Sequence, residues 1–305
     1  MTNSIWRIVA AGACRVFPRF VQAGLGLVLG ATLGHASPLL YTFSETGSNP
    51  YSFSFLELKP LTTTGAFAIP PFQVDGLTFD QATLTQADGT ACFQFGTGGA
   101  SLTATPFSCG LSAFAPAGGW QSLFLGATGP GTYTAFDAAS EGSAPPAPAK
   151  LTIQSVSAFQ YTFSNNGPNP YSFSFLERSL LNTTGAFAIA PFQVDGLTFD
   201  QATLTQADGI GCFQFGTAGA SLTATPFSCG LSAFAPEGGW QSLFFGATKP
   251  GTYTAFHAAS NGSAPAAPDE LNIATLPEPS SLGLFGSGLV ILAALALSRR
   301  RSVKP

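Results

Sequence analysis

Histidine, methionine and positive charge are nearly missing from this chain of 305 residues, which holds two His, one Met and 11 Lys plus Arg. Seven of the basic residues lie at the two ends (Arg7, Arg15, Arg19, Arg299, Arg300, Arg301 and Lys304). The stretch from Ser37 to Pro279 therefore keeps only Lys59, Lys150, Arg178 and Lys249 against all 15 Asp and Glu. Four positive charges against fifteen negative make a body that repels nucleic acid and anionic membrane and suits no phosphate ligand. His257 is the only histidine of that body, and its counterpart in the first half is Asp137. Ser-His-Asp and Cys-His nucleophile systems thus lack a base, and His257 reads as a solvated turn residue. No Gly-rich loop precedes a helix, which excludes the nucleotide classes, and no CxxC spacing supports zinc. Only 9% of residues are charged while 45% are apolar and 29 are Phe, a composition that excludes disorder and calls for a packed globular body.

What fills the body is one unit written twice. Tyr41-Thr42-Phe43-Ser44 returns as Tyr161-Thr162-Phe163-Ser164, and the match at an offset of 120 runs on to Leu151-Thr152-Ile153 against Leu271-Asn272-Ile273. A period this long exceeds those of solenoid repeats, roughly 20 to 50 residues, and suits two whole domains. Within each unit the apolar period is two: Tyr51, Phe53 and Phe55 alternate with Ser52 and Ser54, and Phe93 and Phe95 bracket Gln94. Asp75-Gly76, Asp88-Gly89 and Gly129-Pro130-Gly131 punctuate these runs as turns. Roughly eight short strands per repeat and almost no helix signal predict an all-β fold, two tandem antiparallel β-sandwiches of jelly-roll or Ig-like type. The expected divisions are a signal peptide over 1–36, repeats over 37–156 and 157–276, and a tail over 277–305. The Pro/Ala segment Glu141 to Pro148 recurs at Asn261 to Pro268, so it is a loop inside each repeat as well as a boundary signal.

The ends read as addresses. Arg7, Arg15 and Arg19 precede an apolar stretch from Phe20 to Gly34, and Gly34-His35-Ala36 supplies the small residues a signal peptidase needs, giving cleavage after Ala36. At the other end Pro277-Glu278-Pro279 is followed by an uncharged run from Leu282 to Leu297 and then Arg299-Arg300-Arg301. As a helix that run rises roughly 24 Å, slightly short of a bilayer core, and the Arg triplet would hold the terminus on the cytoplasmic side. On hydropathy alone a plain membrane anchor serves as well. The order and spacing of tripeptide, short apolar helix and basic terminus resemble the PEP-CTERM sorting signal of exopolysaccharide-making Gram-negative bacteria. The resemblance covers under a tenth of the chain. It implies that Pro277, Glu278 and Pro279 are recognised by a membrane protease of exosortase type, that the tail is removed, and that the body becomes a surface or matrix protein associated with exopolysaccharide.

In an oxidising compartment the four cysteines left after Cys14 departs would pair. Cys92 and Cys109 lie 17 positions apart and Cys212 and Cys229 repeat that spacing, so one bridge inside each repeat is expected. Such a loop stabilises by roughly 3 kcal/mol on the chain-entropy estimate. Duplicated carboxylates (Glu57 and Glu177, Asp75 and Asp195, Asp80 and Asp200, Asp88 and Asp208) leave a two-carboxylate glycan hydrolase open. Asp75 and Asp88 are more simply turn residues, and a calcium site from Asp75, Asp80 and Asp88 matches no established spacing. Trp120 and Trp240 follow Gly-Gly, and Tyr133 and Tyr253 follow Pro-Gly at one residue's remove. Exposed, these rings would stack on sugars; buried, Trp120 is a core residue of the strand Trp120 to Phe124. The reading is a non-enzymatic exported protein with no resident cofactor, a carbohydrate-binding module as the alternative, and a hydrolase third.

Overall fold

The computed structural model describes residues 37–278, apart from 63, 98–114, 116, 218–234 and 236. The first repeat forms β1 (Leu39–Glu45), β2 (Tyr51–Glu57), β3 (Gly65–Val74), β4 (Leu77–Ala87), β5 (Thr90–Thr97), β6 (Gly119–Leu125), β7 (Gly131–Ser140) and β8 (Lys150–Ser155). The second forms β9 (Ala158–Asn165), β10 (Tyr171–Glu177), β11 (Gly185–Val194), β12 (Leu197–Ala207), β13 (Ile210–Thr217), β14 (Gly239–Phe245), β15 (Gly251–Ser260) and β16 (Glu270–Leu276). Only Val156 and Ser157 separate the last strand of one from the first strand of the other. No helix among the described residues is long and apolar enough to cross a membrane. The signal peptide, the run from Leu282 to Leu297 and the Arg triplet lie outside those residues.

The two tandem antiparallel β domains are present, and each is a single curled sheet in the order β2-β1-β8-β7-β6-β5-β4-β3, repeated as β10-β9-β16-β15-β14-β13-β12-β11. This is a meander and not the Greek-key order of jelly-roll or Ig-like domains. The reason is local. Asp75-Gly76 and Asp88-Gly89 are two-residue turns with φ near +49° at each Asp and +79° and +75° at the glycines. Such turns can join only strands that lie side by side.

Two layers arise because β7 bends from one to the other. Its first half, from Gly131 to Thr134, pairs with β8, and its second half, from Ala135 to Ser140, pairs with β6 across a register shift. Between the layers sits an aromatic core. Phe43 of β1 meets Phe93 and Phe95 of β5 edge-on at 5.1 and 5.0 Å, and Phe124 of β6 at 6.0 Å. Phe163 repeats these contacts in the second repeat. Each fully buried Phe contributes about 2–3 kcal/mol by removal from water alone.

The alternation in β2 is the one read from the sequence, with Phe53 and Phe55 buried and Ser52 and Ser54 exposed. In β5 and β6 it disappears because both faces are covered. On the face turned from the aromatics, Thr83, Gln94 and Gln121 stand in one cross-strand row. The Thr83 hydroxyl donates to Gln94 Oε1 at 3.2 Å, and Gln94 Nε2 donates to Gln121 Oε1 at 3.4 Å. Bonded side to side, these buried amides avoid the cost of unpaired polar groups.

Strands β2 and β3 are the free edges of the curl, and side chains close the seam between them. Phe53 stacks on Phe72 at 3.8 Å and Phe55 leans on Phe67 at 5.5 Å. The β3–β4 register breaks between Ala68 and Phe72, where Pro70 and Pro71 lack the N–H a ladder needs.

Candidate functional site

Trp120 and Trp240 are 0% exposed. Trp120 lies 4.2 Å from Phe79 and is flanked by Phe72 and Phe95, so its ring is part of the core and unavailable to a sugar. It faces inward because β6 pairs it with Phe95, and residues opposite one another across strands share a face. Both indole N–H groups are buried without a hydrogen-bond partner. Tyr133 and Tyr253 are half-buried, and their hydroxyls donate to the carbonyls of Gly129 at 2.8 Å and Lys249 at 2.7 Å. These bonds fasten the start of β7 and β15 to the preceding turn, a structural role like that of a tyrosine corner.

The duplicated glutamates join those tyrosines. Glu57, at the end of β2, and Tyr133 both act electrostatically on Tyr41, whose phenol is pushed up mainly by burial and held back by a backbone hydrogen bond. The N–H of Leu61 donates to the Tyr41 hydroxyl at 2.9 Å, and Gln86 Nε2 donates to the Leu61 carbonyl at 3.0 Å, pinning the β2–β3 connection. Tyr161, Glu177 and Tyr253 repeat the group, with Leu181 donating at 2.8 Å. Burial pushes the carboxyls of Glu57 and Glu177 up to about 7. Each is a neutral-leaning acid, and no second carboxylate contributes to its shift, so the paired geometry of a glycosidase is not assembled around it.

Asp75 and Asp88, with Asp195 and Asp208, are the first residues of the two-residue turns, as their spacing suggested. Asp80 stands apart at a bulge in β4. The three do not converge into a calcium site; among the described residues no group of three His, Cys, Asp or Glu gathers as metal ligands. Asp137 and His257 are not turn residues. They lie half-buried within β7 and β15, in register with Leu123 and Leu243, because the hairpin extends further than the turn signals implied. His257 Nε2 is buried without a partner.

Cys92 and Cys212 are buried at matching places in β5 and β13, and neither is a free thiol. Cys109 and Cys229 lie outside the described residues. Pro277 and Glu278 follow β16 directly and are exposed, while Pro279 lies beyond the described chain.

At one end of the second repeat an open cleft of about 600 Å³ is lined by Thr217, Glu237, Asn261 and Ser263, with Leu197 and Ala264 as apolar wall. The first repeat has Ala117 and Glu141 where this one has Glu237 and Asn261. There the Glu141 carboxylate turns inward and accepts from the Gly118 N–H at 2.7 Å. The sequence signal for this place was the exchange of residue types between otherwise matching copies. The inward-facing Asp80 and the Tyr41 group gave no comparable signal, since each needs strands far apart in the chain. Comparison with protein-family models, with curated proteins and with solved structures finds no match to this chain.

Proposed function

We propose that this is an exported, non-enzymatic cell-surface or matrix protein, delivered through a PEP-CTERM-like tail and associated with exopolysaccharide. The observation that carries the reading is the tail itself, Pro277-Glu278-Pro279 before an uncharged run and an Arg triplet. The exposure of Pro277 and Glu278 immediately after β16 is consistent with it, since a processing enzyme needs extended, accessible chain. The signal peptide leaves after Ala36, and bridges from Cys92 to Cys109 and from Cys212 to Cys229 form on export. Mass spectrometry of the protein recovered outside the cell tests this: peptides spanning Leu289 to Arg301 should be absent, and non-reducing digests should hold the two bridged pairs. Recovery of the tail peptide would return the reading to a permanent anchor.

Carbohydrate binding remains a second reading on one observation, the polar cleft of the second repeat. Its hydroxyl, amide and carboxylate groups suit sugar hydroxyls. A glycan array on the mature protein, repeated with Glu237→Ala and Asn261→Ala, decides it. Saturable binding lost in both variants supports a sugar site, and binding unchanged in both excludes this cleft.

A further inference from the structure

The two repeats meet at their seams. β3 packs against β11 and β2 against β10, yet the two sheets share no strand pairing. Each curled sheet thus turns the free edges it leaves open toward those of its copy. Free edges expose unpaired backbone groups and invite association, so a second copy of the same seam is a natural cover. Pro70 and Pro71 in β3 and Pro191 in β11 interrupt the ladder and leave this contact to side chains.

Asp80 and Asp200 mark the contact. Each is the extra residue of a bulge, between Phe79 and Gln81 in β4 and between Phe199 and Gln201 in β12. Bulges re-aim side chains. In both residues Oδ1 is shielded from solvent and has no hydrogen-bond partner. The two carboxyls sense each other across the repeats. Burial, aided by the charge of Asp80, pushes the Asp200 carboxyl above the usual range, against the pull of its own backbone N–H.

The strands packed around the pair hold no cation to offset it. β3 and β11 carry no titratable residue, β4 and β12 none besides the pair, and β5 and β13 only Cys92 and Cys212. β2 and β10 carry Tyr51, Glu57, Tyr171 and Glu177.

We propose that this seam is a self-docking surface whose partner is a second copy of the same repeat, supplied here within one chain, and that a proton shared between Asp80 and Asp200 completes it. With one proton between them, one carboxyl donates and the other accepts, and both orphaned oxygens are satisfied. With both ionised, two like charges face each other without a counter-ion. Docking is therefore strongest in mild acid and is lost as the pH rises through the titration of the pair.

Calorimetry of the mature protein carrying Leu84→Ala, which lowers the melting temperature of the first repeat alone, reads the coupling. One shared transition is expected at pH 5 and two separate ones at pH 8.5. Adding Asp80→Asn and Asp200→Asn, whose amides donate and accept without charge, should leave one transition at both pH values. Adding Glu57→Gln and Glu177→Gln should preserve the parent's pH response of the coupling. Parent transitions that ignore pH, or an Asn pair that splits like the parent, overturn the proposal. So does splitting at pH 5 on addition of EDTA, which would make the bridging species a metal ion. Should Leu84→Ala fail to fold, carbon NMR titration of the otherwise unaltered chain serves instead. The Asp200 carboxyl should fall toward the ordinary aspartate range in Asp80→Asn, and an unmoved titration refutes the shared proton.

Discussion

Glu57 and Glu177 make the stability of this protein depend on pH through the neutral range. Burial holds each carboxyl at about 7, against an ordinary value of 4.5. Because the folded-state value is raised, the protonated form is favoured in the fold. The stability is fully present below about 4.5, declines as the unfolded chain ionises, and levels off once pH passes about 7. At 1.36 kcal/mol per tenfold change, ionising each site costs about 3 kcal/mol by pH 8. For a domain of this size that corresponds to a melting temperature roughly 10 °C lower at pH 8 than at pH 4.5. Glu57→Gln with Glu177→Gln removes the charge and keeps the shape. The pair should match the parent at pH 4.5 and melt roughly 10 °C higher at pH 8. Differential scanning calorimetry at the two pH values, with disulfides intact, measures both. A parent whose melting point is the same at pH 4.5 and 8, or a double variant that still falls with rising pH, refutes the burial argument.

Three further outcomes follow from the packing. Phe43→Ala removes the ring that touches β5 and β6 and should cost the first repeat about 3–5 kcal/mol by chemical denaturation, leaving the second repeat's transition in place. Gly76→Ala places a side chain at φ +79° in the β3–β4 turn and should destabilise by about 1 kcal/mol or more, although nothing crowds the new methyl. Cys92→Ser, if the proposed bridges form, should lower stability by about 3 kcal/mol under oxidising conditions and bring the first repeat to the level of the reduced parent. Equal stability of variant and oxidised parent would remove the bridge from the first repeat.

Much of the fold was legible because its signals are short-range. The alternation of Phe53 and Phe55 with serines, the Asp-Gly turns and the offset of 120 residues all act within a few positions or by direct comparison of the copies. The strand order was partly legible too, since a two-residue turn forces neighbours to pair, yet the sandwich was expected in Greek-key order. The tryptophans were ambiguous from flanking glycines alone. Pairing of Trp120 with Phe95 decided that the ring faces inward. The assignment of Asp137 and His257 to turns failed because β7 and β15 run on past their bends, each held by register with the preceding strand.

By itself the sequence determined composition-driven properties: an acidic, Phe-rich, β-forming body made twice, with charged and apolar ends that resemble sorting signals. Those follow from local propensity, charge and order along the chain. Only the tertiary structure decided that one curled sheet forms both layers, that the glutamates are buried beside tyrosines, and that Asp80 and Asp200 face each other across the repeats. Those depend on which distant strands share a face and which edges remain unpaired, and burial, the cause of every large shift in acidity here, exists only after the strands have assembled.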